Sequence, residues 1–233
     1  MSNAAVIIGA SGGIGCALAD AIASEGEYDT VIRLSRSAED DAHIDITDEV
    51  SIEKAAVRLK ERGIEPKLVV VASGLLHDGD KGPEKSLREL DMDWLLLNYA
   101  VNAVGPAMVA KHFLPIMPGK ALCTFAAISA RVGSISDNRL GGWYGYRAAK
   151  AALNMMVRNI AIEWARKNER AIAVALHPGT VDTALSKPFQ GNVPDKKLFD
   201  RERAALQLLD VLDDLKPADS GRIFAWDGEE IRP

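Results

Sequence analysis

The segment from Ala4 to Glu25, AAVIIGASGGIGCALADAIASE, constrains the chain more than any other. It opens on an apolar run from Ala4 to Gly9, which is too short for a helix and suits a strand buried on both faces. Glycines follow at Gly9, Gly12, Gly13 and Gly15. From Ile14 to Glu25 apolar residues then recur at spacings of three and four, which predicts an amphipathic helix. A buried strand that turns directly into a helix must pack that helix back on its own sheet.

The same alternation continues along the chain. Further strands are expected at Thr30 to Ser35, His43 to Ile46, Lys67 to Ala72, Ala121 to Ile128, Ala171 to Leu176 and Arg222 to Ala225, about seven in all. Helices are expected at Val50 to Arg62, Asp91 to Phe113, Tyr146 to Lys167 and Arg201 to Leu212. This pattern describes an α/β chain with a parallel sheet and crossover helices on both faces. At 233 residues, length alone admits one large domain or two small ones. No repeat, low-complexity tract or charged linker marks a boundary, so one domain over residues 1–233 is expected. Leu75 to Leu87 and Ser186 to Leu198 are read as irregular loops.

The glycines carry the first chemical expectation. Their G-x-x-x-G-x-G spacing lets the backbone turn tightly and approach a phosphate group that the free N–H groups of a helix N-terminus stabilise. Gly9, Ser11, Gly12, Gly13, Ile14 and Gly15 are therefore expected to bind a dinucleotide. A glycine-rich turn needs no ligand, and the place at the first strand-to-helix junction decides for nucleotide binding. The second strand ends in Ser35, Arg36 and Ser37, which offer hydroxyls and a guanidinium but no carboxylate. An arginine there accommodates a ribose 2′-phosphate, so NADP(H) is favoured over NAD(H). Asp45 reads either as a partner of the adenine edge or as a cap for the helix starting near Asp48.

Tyr146 and Lys150 lie four apart at the start of a predicted helix and share a face. A phenol beside an ammonium can serve as general acid, because the positive charge makes its anion easier to form. Standing alone, the pair would read as an exposed helical pair.

Composition narrows the partners. The chain is 48% hydrophobic and 26% charged, ordinary globular values. Its net charge of -5 disfavours nucleic acid or an anionic membrane as the main partner, while a local basic pocket stays compatible. No run reaches the roughly 20 apolar residues of a membrane span, and the start has no basic leader, so a cytoplasmic protein is expected. Cys16 and Cys123 are expected to be buried thiols rather than a disulfide. His43, His77, His112 and His177 lack metal-ligand spacing, and no metal is expected. Trp94 and Trp164 read as packing residues, His77 as a loop residue at the rim, and Trp143 as a residue near a pocket.

The ordered set GASGGIG, NYAVNAVG (Asn98 to Gly105), Ile128-Ser129-Ala130, YRAAK and HPGTVDT resembles the short-chain dehydrogenase/reductase family across nearly the whole chain. The stretches SDNRLGGWYGYRAAKAALN, HPGTVDTALSKPF and SGRIFAWDGEEI resemble its C-factor-like and carbonyl-reductase-like branch. The resemblance implies a Rossmann-like doubly wound fold. It implies that Tyr146 exchanges a proton with a carbonyl or hydroxyl oxygen, that Lys150 lowers the phenol's pKa and binds the nicotinamide ribose, and that Asn102 holds a water linking Lys150 to solvent. By the same resemblance Ala72 and Gly74 lie beside the cofactor, and Pro178, Gly179, Val181 and Thr183 form the loop that meets the nicotinamide carboxamide. It also implies a homodimer or homotetramer assembled through helices such as ALNMMVRNIAIEW.

Two departures stand out. The position aligned with the family's substrate-binding serine is Ala130; Ser129 can replace it if the strand end is shifted by one residue, and Ser134 and Ser136 are further candidates. Asp137 to Gly142 reads as a local insertion. Val71-Ala72-Ser73-Gly74 stands where the family carries two asparagines, so altered local hydrogen bonding with retained cofactor binding is expected. The first functional expectation is a carbonyl reductase or the reverse alcohol dehydrogenase. The second, motivated by Ala130, is a dinucleotide-binding signalling or regulatory protein with weak turnover; a purely structural α/β module has little support.

Overall fold

The computed structural model describes residues 2–192 and 197–233. Its main sheet has six parallel strands, β1 (Ser2–Ile8), β2 (Thr30–Leu34), β3 (Ile64–Val71), β4 (Cys123–Ile128), β5 (Ala171–His177) and a last strand (Ile223–Ala225) numbered β8. β6 (Thr180–Val181) and β7 (Leu198–Phe199) pair separately in parallel. The main order is β2-β1-β3-β4-β5-β8, so the winding reverses between β1 and β3. At such a point the loops beyond the carboxyl ends of neighbouring strands diverge and leave a crevice.

The apolar runs are explained by burial on both faces. Ala4, Val6, Ile8, Val69, Val71, Phe125 and Ala127 belong to one core, with Ile52, Val109, Phe113 and Leu153 from the helices over that face. Their strand neighbours Ala5, Ile7, Leu68, Val70 and Ala126 belong to the other, with Leu18, Ile22, Leu208 and Leu209. Strict alternation between two cores is what a doubly covered parallel sheet requires. The helices are α1 (Gly13–Glu25), α2 (Glu49–Glu61), α3 (Met92–Tyr99), α4 (Gly105–Phe113), α5 (Tyr144–Ala165) and α6 (Arg201–Asp214). Asp48, Asp91 and Asp200 cap α2, α3 and α6 by accepting backbone N–H bonds from Val50, Trp94 and Arg203.

Two expectations are corrected. His43 to Ile46 is not a sheet strand: Ser35 and His43 form a single bridge, and the Arg58 guanidinium donates to the Asp41 and His43 carbonyls on the far side. The sheet therefore has six strands rather than about seven. The helix expected at Asp91 to Phe113 is interrupted by a wide π-helical turn, Ala100–Val104, in which Gly105 N–H reaches back to Ala100 O. Pro106 explains it, since it has no N–H for the Asn102 carbonyl and its ring excludes the regular i to i−4 geometry. A side chain at Gly105 would stand 2.7 Å from Ile46 O, so glycine lets the helix touch the chain below it.

Leu75 to Leu87 is irregular as expected. In the second loop Lys187–Asn192 forms 3₁₀ turns, and residues 193–196 lie outside the described part. Among the described residues no helix is long and apolar enough to cross a membrane.

Candidate active site

A cleft of about 360 Å³ opens at the carboxyl ends of β1, β2 and β3, where the winding reverses. The glycine-rich turn forms its floor. Gly9 is left-handed at φ +86°, and a side chain there would stand 2.8 Å from Ser73 N. A side chain at Gly13 would meet Thr183 Cγ2 at 2.6 Å, and one at Gly15 would overlap Gly9 O. Gly12 caps α1 without a side chain, and the first turn of α1 carries no acid, so its outward N–H groups are available to an anion. Gly9, Ser11, Gly12, Gly13 and Ile14 line the cleft, while Gly15 lies behind it as a packing contact.

Ser35, Arg36 and Ser37 form the second wall. Ser35 is buried and its hydroxyl lies 3.4 Å from that of Ser37. Arg36 is exposed and makes no ion pair among the described residues. Asp45 is in this wall too; its carboxylate accepts from the amide of Thr47 at 2.9 Å and from its hydroxyl at 2.7 Å. Partial burial works to raise its pKa, but these bonds and the charges of Arg36 and His43 outweigh it and hold the carboxyl below its ordinary value. The capping alternative for Asp45 is overturned, because Asp48 caps α2. Ala72 and Gly74 line the cleft at the end of β3, together with Ser73, whose backbone and hydroxyl crowd Gly9.

Tyr146 and Lys150 meet the cleft from α5. Both are buried, and the Lys150 ammonium lies 5.7 Å from the Tyr146 ring centre. It donates to Ile128 O at 2.8 Å. Burial lowers Lys150 from 10.5 to about 7 and pushes the Tyr146 phenol above its ordinary value. The phenol's direction is opposite to the one expected from a tyrosine beside an ammonium: the lysine is itself desolvated, and its proton points to a carbonyl.

Asn102 sits in the wide turn, fully buried and outside the cleft. Its amide donates to Leu75 O at 2.8 Å, its Oδ1 accepts from Leu75 N at 3.1 Å, and Asn98 Oδ1 lies 3.3 Å away. The side chain thus holds the backbone N–H and carbonyl of one residue, Leu75, in the loop after β3. Ser129 also lies outside the cleft wall, donating to Asn154 Oδ1 at 2.7 Å in the interior. Ser134 donates to Arg232 O and lies beside Ser136 at 3.3 Å, away from the cleft lining. None of the three candidate hydroxyls lines the cleft.

After β5, Gly179 is left-handed at φ +77°, with Phe199 2.7 Å from where a side chain would begin. Pro178, Gly179 and Val181 stay behind the wall, Val181 buried in β6; Thr183 reaches the cleft. Trp143 stands edge-on to Tyr146 and to Phe189, at 6.3 and 5.2 Å between ring centres. His77 joins this aromatic edge 6.0 Å from Phe189, with Nε2 3.0 Å from Ala184 O. His177 is half-buried, and desolvation, helped by Arg131, lowers it to about 4 against the opposing charge of Asp227. Among the described residues no His, Cys, Asp and Glu side chains gather as a metal site requires. Both cysteines are free; Cys123 is buried as expected, whereas Cys16 is half-exposed. Thr47, Ser73, Ala184 and Leu185 line the cleft without having been singled out from the sequence. Ser73 sits inside a motif already marked, and only that adjacency could have flagged it.

This cleft and the ordered motifs around it define a short-chain dehydrogenase/reductase, and residues 9–213 match the family described as enoyl-(acyl carrier protein) reductase. The chain belongs to the short-chain dehydrogenase/reductase family of oxidoreductases. It is 32% identical over 185 residues to 1-hydroxy-2-glutathionyl-2-methyl-3-butene dehydrogenase of Rhodococcus sp. (strain AD45), covering 79% of this chain and 76% of the relative. It is 36% identical over 146 residues to the C-signal of Myxococcus xanthus, covering 63% and 82%. In fold it is similar to the NADPH-bound carbonyl reductase from chicken fatty liver, with a TM-score of 0.84 at 24% identity over 99% of this chain and 94% of the other. It is similar also to the carbonyl reductase Sniffer of D. melanogaster, with a TM-score of 0.80 at 19% identity over the full length of both.

Proposed function

We propose that the chain is an NADP(H)-dependent carbonyl reductase working as one domain over residues 1–233. The carrying observation is a single cleft that joins the glycine floor and the Ser35-Arg36-Ser37 wall at one end to Tyr146 and Lys150 at the other. The residues present fit a dinucleotide: side chains are excluded at Gly9 and Gly13, α1 offers uncapped N–H groups, and Arg36 supplies a guanidinium with no ion pair among the described residues. In this reading Gly9, Ser11, Gly12, Gly13 and Ile14 hold the pyrophosphate and Ser35 and Arg36 hold the 2′-phosphate. Asp45 takes the adenine side, Ala72 and Gly74 flank the ribose, and Thr183 faces the carboxamide with Pro178, Gly179 and Val181 shaping its loop. When bound, NADPH supplies the hydride.

Tyr146 delivers the proton to the oxygen of the carbonyl as its carbon is reduced. Lys150 supports that transfer, and anionic groups brought into the cleft favour its protonated form over the neutral one that burial alone promotes. Asn102 fixes the loop at Leu75, and Ser129 braces the strand end through Asn154. Ala184, Leu185 and the Trp143 edge suit an apolar substituent on the substrate. The apolar residues that α5 leaves exposed, Met155, Met156 and Ile162, suit a homodimer or homotetramer.

A second reading has its own observation. None of Ser129, Ser134 and Ser136, the candidates for a hydroxyl that shares the substrate oxygen with Tyr146, lines the cleft, and the C-signal is among the relatives. A dinucleotide-binding signalling protein with weak turnover is consistent with that. The test is NADPH binding by fluorescence titration, then NADPH oxidation with a panel of aldehydes, ketones and quinones, alongside Tyr146→Phe. Turnover that Tyr146→Phe reduces at least a hundredfold with binding intact supports the reductase. Tight binding without turnover supports the signalling reading, and no binding overturns both.

A further inference from the structure

α5 carries Tyr146 and Lys150, yet it begins without the device that starts α2, α3 and α6. Its N-cap is Trp143, which offers no side-chain acceptor and is left-handed at φ +53°, and its first turn contains no acid. Gly141 and Gly142 precede it, both left-handed at φ +63°. Left-handed geometry is costly for a residue as bulky as tryptophan and persists only where neighbours impose it.

The neighbour is Glu84. It comes from the loop after β3, far away in sequence, and is 2% exposed. Its carbonyl accepts the Trp143 N–H at 2.5 Å and its Oε2 accepts the Gly145 N–H at 3.0 Å. It therefore satisfies two amides that the helix start leaves open, with a carboxylate at the positive end of the helix. The second carboxylate oxygen, Oε1, is buried with no partner among the described residues, and a side chain at Gly145 would come within 2.9 Å of it. Leu95 and Asn98 of α3 close the other sides of Gly145. Burying a carboxylate with one oxygen unpaired is unfavourable, so its bonds to α5 must offset that cost.

We infer that Glu84 is a positioning residue for the proposed reduction: it clamps the start of α5 and so fixes the Tyr146 phenol and the Trp143 indole. The inference rests on the hydride-transfer reading for its effect on rate, although the clamp itself does not. The loop that carries Glu84 begins at Leu75, which lines the cleft and is held by Asn102. It also carries His77, tied to Ala184 across the cleft mouth. One loop thus touches the substrate edge and the helix bearing the proton donor, and Glu84 is where the second contact is made.

The test compares full-length parent, Glu84→Ala and Glu84→Gln by hydrogen–deuterium exchange, NADPH titration and turnover. Glu84→Ala is expected to speed exchange in residues 143–147 at least tenfold with the central strands unchanged. It should lower kcat at least tenfold while the NADPH Kd stays within twofold. Glu84→Gln keeps an acceptor oxygen for the Gly145 N–H and should recover most of both losses. An alanine variant with parental exchange in 143–147, a loss of protection spread over the whole sheet, or a glutamine variant as slow as the alanine one overturns the inference. If the parent reduces no carbonyl, the reductase reading fails, and unchanged or increased exchange at 143–147 still decides the clamp.

Discussion

Lys150→Met is expected to make the cofactor-free protein more stable at neutral pH while abolishing its proposed chemistry. Lys150 is 2% exposed, pairs with no carboxylate among the described residues, and spends its one hydrogen bond on Ile128 O. Burial lowers it from 10.5 to about 7, whereas in the unfolded chain it stays protonated up to its ordinary value. Between these values the unfolded state binds more protons than the native state, so stability rises with pH across that window and is lost as pH falls from 10.5 toward 7. At about 1.36 kcal/mol for each tenfold change in proton affinity, the burial opposes folding by roughly 4–5 kcal/mol near neutrality. Methionine fills a similar volume but leaves the Ile128 carbonyl without its donor, which costs about 1–3 kcal/mol. The net gain is about 1–4 kcal/mol, or a Tm higher by roughly 2–16 °C at about 2–4 °C per kcal/mol for a chain of this size. Calorimetry at constant ionic strength, from about pH 6.5 to about pH 9.5, measures it. The parent's Tm should climb toward that of the variant as pH rises. The range stops there because Tyr28 and Tyr146, both raised by burial, act in the other direction once unfolded phenols ionise near 10. A variant less stable than the parent at pH 7, by an amount that does not change with pH, would refute the reasoning.

Three further substitutions test the cleft and its supports. Arg36→Ala removes the only guanidinium among the described residues of the cleft wall and should weaken NADPH about 10- to 150-fold, the effect of about 1.5–3 kcal/mol for a bond to a charged group, with NADH changed less than threefold; an unchanged preference in parallel titrations refutes the 2′-phosphate assignment. Ser129→Ala leaves Asn154 Oδ1 without its buried donor and should cost about 1–3 kcal/mol in urea unfolding with kcat within twofold, whereas a hundredfold fall in kcat at unchanged stability would make Ser129 a substrate ligand. Gly15→Ala forces a methyl onto Gly9 O and should cost about 1–3 kcal/mol and at least tenfold in NADPH affinity; a variant binding as the parent does would show that the turn relaxes freely.

The motifs that depend on local rules were readable from the residues. The uninterrupted apolar runs identify strands covered on both faces, and the glycine turn announces a place where side chains would collide with Ser73 and Thr183. Tyr146 and Lys150 reach the cleft because a spacing of four repeats the helix face. The misreadings have a common cause in long-range partners. His43 to Ile46 has strand-like residues, but Arg58, fifteen positions on from His43, takes the carbonyl that a neighbouring strand would need. Ser129 has the right chemistry, and only its pairing with Asn154 on α5 shows that it faces inward. Glu84 left no local signal at all, because one of three acids in a Gly-Pro-containing loop looks like any solvated loop residue until the fold brings Gly145 onto it.

The wide turn at Ala100–Val104 has an evolutionary corollary. An extra residue in a helical turn offsets the faces on either side of it by about 100°. Before it, Trp94 is buried and Asn98 flanks Gly145; after it, Val109 and Phe113 enter the core beneath the sheet. Deleting any one residue of the five would swing one of these faces out of its contacts and carry Asn102 off the Leu75 backbone at the same time. The length of this helix, the proline that imposes the turn and the asparagine inside it are therefore coupled, and a change in one is expected to require a change in the others.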